Sequence, residues 1–143
     1  MDRGVGFRGV RGGRLTENNP WGALPLIDYE LTYDGLEAAV TQAHIHFGQF
    51  FVSGGISVFL CNTEGFPDPS GLAPTYPQSG TVTGTITAEN VIGPGVQGIA
   101  AGEFAELLTA IRSGVSYANV HSAKFPSGEI RGQIQKDKNQ EDQ

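Results

Sequence analysis

The chain has 143 residues, enough for one domain with a core of its own. Its 21 glycines, 8 prolines and 38% apolar residues favour an all-β sandwich or barrel over a helical bundle, and the single cysteine, Cys61, excludes an internal disulfide framework. The formal charge is −6, and between Leu15 and Ile111 stand ten carboxylates and no lysine or arginine, which excludes nucleic acid as a partner of the folded domain.

The opening "MDRGVGFRGVRGGR" carries four arginines and five glycines without core-forming periodicity. Residues 1–20 are therefore expected to be an unstructured Arg/Gly-rich leader, with a short RNA-contacting arm as the alternative. They show no apolar h-region of a secretory signal, so the chain is expected to be mature, trimmed or not exported. From "LIDYELTY" onward, apolar and polar residues alternate. Ile27, Tyr29, Leu31 and Tyr33 share one face, opposite Asp28, Glu30 and Thr32.

In "VTQAHIHF" the alternation places Ala43, Ile45 and Phe47 inward, and Gln42, His44 and His46 on the other side. "GISVFLC" follows a Gly54-Gly55 turn, with Cys61 expected to pack at the strand end. "NTEGFPDPSGLAPTYPQSG" holds four prolines and is expected to be a long irregular loop. "GTVTGTITA" is a strand whose threonines face one way.

One short helix is expected in "GEFAELLTAIRSG", with Phe104, Leu107, Leu108 and Ile111 at i, i+3, i+4 and i+7 and Gly114 as its C′ residue, covering an open end of the sheets. "VSYANVH" and "GEIRGQIQ" are the last two strands, joined by the turn "SAKFPSG". Residues 136–143 read as a solvated polar tail, and no apolar run approaches the ~20 residues of a membrane span.

Two residues apart on a strand, His44 and His46 project together, roughly 6.6 Å apart at Cα. His121 has the same phase: Ala118 and Val120 take the apolar side, while Tyr117, Asn119 and His121 take the other. If the two strands pair, three imidazoles share one coordination sphere, the donor set of open zinc and copper sites. The alternatives are solvated side chains, or rings bonded to loop backbone that merely fix turns. In "GEIRGQI", Glu129 and Arg131 share a face. They, with Asn119, are candidates to orient a ligand histidine, against an ordinary exposed Glu–Arg pattern. No nucleophile elbow or phosphate loop is present.

"AHIHFG", "GTVTGTITA", "FAELLTAIRSG" and "YANVHSAKFPSGEIRGQI" stand in the order found in the CHRD (chordin) domain. The chain resembles that family, in its microbial stand-alone form, from about Leu24 to Gln135. The resemblance implies an immunoglobulin-scale, Greek-key-like antiparallel β-sandwich, found in the growth-factor antagonist chordin and in exported microbial proteins. It also implies an extracellular or periplasmic location. A looser likeness, "HIHFG", links one strand to copper/zinc superoxide dismutase.

The resulting expectation is a binding module of exported type holding copper or zinc through His44, His46 and His121. The alternatives are a protein–protein interaction module without metal, or a copper-dependent redox enzyme. "RGGRLTENNPWGALP" does not match the strand with which the family usually begins. The next strand is therefore expected to offer an open edge to another protein or to a second copy.

Overall fold

The structure, a computed structural model, describes residues 4–10, 26–75 and 80–134. Among these residues seven strands form two antiparallel sheets: β1 (Gly4–Val10), β2 (Ile27–Asp34), β3 (Val40–Phe47), β4 (Ile56–Cys61), β5 (Gly80–Ile86), β6 (Ser116–Ser122) and β7 (Ile130–Gln133). One sheet runs β1-β2-β5 and the other β4-β3-β6-β7. Between β5 and β6 the chain forms two short 3-10 turns and helix α1 (Phe104–Arg112). This path carries it from one sheet to the other, so β6 pairs with β3 rather than with its predecessor. The result is an open sandwich, not a closed barrel.

Alternation sets the strands. In β2, Ile27, Tyr29, Leu31 and Tyr33 are buried as the pattern requires, and across the ladder Leu31 meets Val82 and Ile27 meets Ile86. From the other sheet come Ala43, Ile45, Val58, Leu60, Ala118 and Val120, all fully buried. Each large aliphatic side chain removed from water in this way contributes about 1.5–3 kcal/mol. Cys61 ends β4 inside the same core, where burial pushes its thiol pKa up.

Helix α1 inserts Phe104, Leu107 and Ala110 into that core, while Leu108 and Ile111 pack at its margin. It stops at Ser113, after which Gly114 takes φ 72°, the left-handed conformation that glycine reaches without strain. The long loop after β4 is gathered by Asp68, whose carboxylate accepts hydrogen bonds from the amides of Ser70, Leu72 and Ala73 and from the Ser70 hydroxyl.

Two expectations require correction. Gly4–Val10, placed in an unstructured leader, is strand β1, paired in register with β2 from Gly4↔Asp34 to Val10↔Asp28. Ladder pairing uses main-chain groups that every non-proline residue carries, so it needs no side-chain periodicity. Consequently β2 has both edges occupied and is not the open edge expected. The sheet ends are β1 and β5 in one sheet and β4 and β7 in the other. The rest of the leader, residues 1–3 and 11–20, and the polar tail lie outside the described residues.

Candidate metal centre

β3 and β6 pair antiparallel, with His44 opposite Asn119, His46 opposite Tyr117 and Gln42 opposite His121. This register puts the three histidines on the sheet face away from the core. The alternative of solvated side chains does not describe them: His44 is 1% exposed and His46 and His121 are each 7% exposed. Its roof is built by segment 48–55, the β6–β7 turn and Phe59 of β4, whose ring meets His44 edge-on at 4.2 Å between centroids.

Two backbone carbonyls orient two of the rings. His46 Nδ1 lies 2.9 Å from the Gly54 carbonyl oxygen, and His121 Nδ1 lies 2.8 Å from that of Pro126. A carbonyl only accepts, so each Nδ1 carries the proton and each Nε2 presents a lone pair. His121 Nε2 lies 3.1 Å from His44 Nδ1, a spacing that one shared proton or one shared ion can fill. The Nε2 atoms of His44 and His46 are buried and have no hydrogen-bond partner among the described residues.

Taking one nitrogen from each residue, all three lie within 4.8 Å of one another. Nitrogens bound to a common ion at 2.0–2.1 Å stand about 3.3–3.6 Å apart, so a modest ring movement completes a coordination sphere.

The electrostatics keep the rings neutral. Burial, and then the neighbouring His121 and His46, lower the pKa of His44 to about 2. Burial also lowers His46, opposed by its bond to Gly54 and assisted by His121 and Arg131. His121 is lowered by burial, against its bond to Pro126. Neutral imidazoles held by a carbonyl on the far nitrogen are what metal ligation requires.

The local sequence explains both carbonyls. Gly54 sits where an added Cβ would fall 1.7 Å from the Phe47 carbonyl oxygen, so only glycine lets segment 48–55 fold back onto β3. Gly128, at φ 120°, closes the β6–β7 turn, with its amide donating to the Phe125 carbonyl. That turn is fastened from outside: Lys124 pairs with Glu37, and the Glu37 amide donates to Glu129 Oε1.

The three residues expected to orient a ligand histidine take these places. Glu129 binds the Glu37 amide, and Asn119 packs its amide against Gly128. Arg131 reaches His46 only through an aromatic intermediary. Its guanidinium lies 3.5 Å over the Tyr117 ring, and that ring stacks on His46 at 4.8 Å with planes 5° apart. Arg131 also donates to the carbonyls of Gln49 and Val52, holding down the roof, and the Gly54 amide donates to the Tyr117 hydroxyl. Sequence reasoning placed Tyr117 on the histidine face but assigned it no part. The two carbonyls carry no side-chain signal and were not foreseen as specific partners.

Beside His46 opens a cavity of about 400 Å³, walled by Tyr117, Arg131, Glu129 and the 53–54 and 127–128 backbone. Two sheets around one core, with three buried histidines converging from neighbouring strands, define a β-sandwich able to hold a metal ion. Residues 25–134 match the CHRD domain, and the chain belongs to that family. No curated protein and no solved structure gives a significant match.

Proposed function

We propose that this CHRD domain is a metal-binding module of exported type, holding one copper or zinc ion through His44, His46 and His121. The observation that carries the proposal is the pair of buried, unpartnered Nε2 lone pairs beside a third ring, all kept neutral. Leaving buried polar nitrogens without partners costs about 1–3 kcal/mol each, and a bound ion removes that cost. His46 and His121 would bind through Nε2, since carbonyls occupy their Nδ1 atoms.

Bound there, the ion would supply a Lewis acid, or a one-electron centre if it is copper. The chain's own part is to orient the rings, exclude water through Phe59 and Tyr117, and leave access beside His46. Domains of this family are typically extracellular, which supports the exported setting. Among the described residues no helix is long and apolar enough to cross a membrane.

The test is elemental analysis of protein purified without a histidine tag, with thermal unfolding before and after adding copper or zinc. About one ion per chain and a raised midpoint are expected. No stoichiometric ion and no shift with either metal overturns the proposal.

A different observation supports an additional interaction role. Phe51 is fully exposed at φ 63°, flanked by exposed Phe50 and Val52, on the segment Arg131 clamps. Positive φ is strained for a bulky residue, and such strain gathers at functional positions. Replacing Phe50 and Phe51 by serine tests this role: metal content is expected to stay unchanged while any protein partner is lost.

A further inference from the structure

We infer that the three-histidine site selects a cuprous ion, with a single positive charge, over divalent zinc or copper. This inference rests on the metal-binding reading above. Every donor in the cluster is a neutral imidazole. Among the described residues no carboxylate joins them, and Cys61 packs in the core beside Ala43, on the opposite face of the sheet. The segment from Ala38 to Thr63, which supplies His44, His46 and the Phe59 cover, contains no aspartate, glutamate, lysine or arginine.

A cation stands close to one of the ligands. Arg131 lies over Tyr117, which stacks on His46, and its guanidinium acts on that histidine. Glu129 stands in the same cavity wall, with its Oε1 turned to the Glu37 amide.

The cost of burying an ion grows with the square of its charge, so a divalent ion pays about four times the desolvation of a monovalent one. Sites for divalent ions commonly recover this cost with anionic ligands or with hydroxide. This cluster supplies no anion, and a cation stands two rings away. A cuprous ion needs no anion and is satisfied by three nitrogens, the number present. Imidazole suits copper, and the ordinary affinity order already places Cu(II) above Zn(II). The charge of this site adds a preference for the reduced ion over both.

The experiment measures three affinities on the same untagged, full-length protein. Cu(I) is titrated under argon against bicinchoninate, and Cu(II) and Zn(II) are titrated by calorimetry in air. Cu(I) is expected to bind one per chain, about a hundredfold or more tighter than either divalent ion. In Arg131→Gln, which removes the charge and keeps a planar group over Tyr117, the divalent ions are expected to gain about tenfold and Cu(I) to change little.

If a divalent ion binds as tightly as Cu(I), the cuprous preference is wrong while the metal site stands. If no ion binds at all, the metal-binding reading itself has failed.

Discussion

His121 Nε2 lies 3.1 Å from His44 Nδ1, although 77 residues separate the two in sequence. This contact depends on the β3–β6 ladder and on the Pro126 carbonyl, which turns the His121 ring so that its lone pair faces His44. His121→Ala removes one ligand and leaves both the His44 N–H and the Pro126 carbonyl without a partner. Loss of stoichiometric metal is expected, together with about 1–3 kcal/mol of destabilisation in the metal-free protein. Elemental analysis and urea unfolding report the two effects separately.

Stability of the metal-free protein is expected to fall with acidity, beginning near the ordinary histidine pKa of about 6.5. Below that point the unfolded chain takes up protons that the buried His44, His46 and His121 refuse, because burial lowers all three. The unfolded state then binds more protons, so stability decreases as pH decreases. His44, lowered to about 2, contributes up to about 1.4 kcal/mol per pH unit over the intervening range. Unfolding curves at pH 7.5, 6 and 5 check the slope, and a flat profile would contradict the burial of neutral rings.

Gly54→Ala places a methyl group 1.7 Å from the Phe47 carbonyl oxygen. Segment 48–55 must lift, and His46 loses the acceptor that sets its tautomer. A loss of about 2 kcal/mol or more is expected. Nitrogen chemical shifts of His46 are expected to move from a single protonated Nδ1 toward a mixture of tautomers.

Arg131→Ala removes the hydrogen bonds to Gln49 and Val52 and the cation over Tyr117. Because Arg131 is itself exposed, a global cost of only about 1 kcal/mol is expected. The local effect is larger: amide exchange in segment 48–55 is expected to quicken while the β2 and β6 amides stay protected. Equal exchange in the segment before and after substitution would remove Arg131 as its clamp.

Leu107→Ala empties the helix anchor, a fully buried side chain in the shared core. Such truncations cost about 2–5 kcal/mol. The expected sign is a large fall in the unfolding midpoint with metal stoichiometry unchanged, since α1 packs into the core and the three histidines lie on the other face of their sheet.

Much of the architecture is legible locally. The buried face of β2, the helix with its stop at Gly114 and the common phase of His44, His46 and His121 follow from periods of 2 and 3.6 and from turn residues. β1 was not legible, because its pairing to β2 is a main-chain property and "GVGFRGV" has no alternating face to announce it. The burial of the histidine face was missed for a related reason. Alternation tells which side of a strand a residue takes, not whether loops from elsewhere cover that side.

Local sequence was enough for the strands from β2 onward, the helix α1, the kinship to CHRD domains and which residues share a face, because these depend on neighbours a few positions apart. Tertiary structure alone decided that the three rings lie under a roof. It also decided that Gly54 and Pro126 carbonyls orient two of them, and that Arg131 bears on His46 through Tyr117. Those facts come from backbone groups common to all residues and from contacts between segments far apart in the chain. Such contacts form only when the two sheets and their connecting loops are packed together.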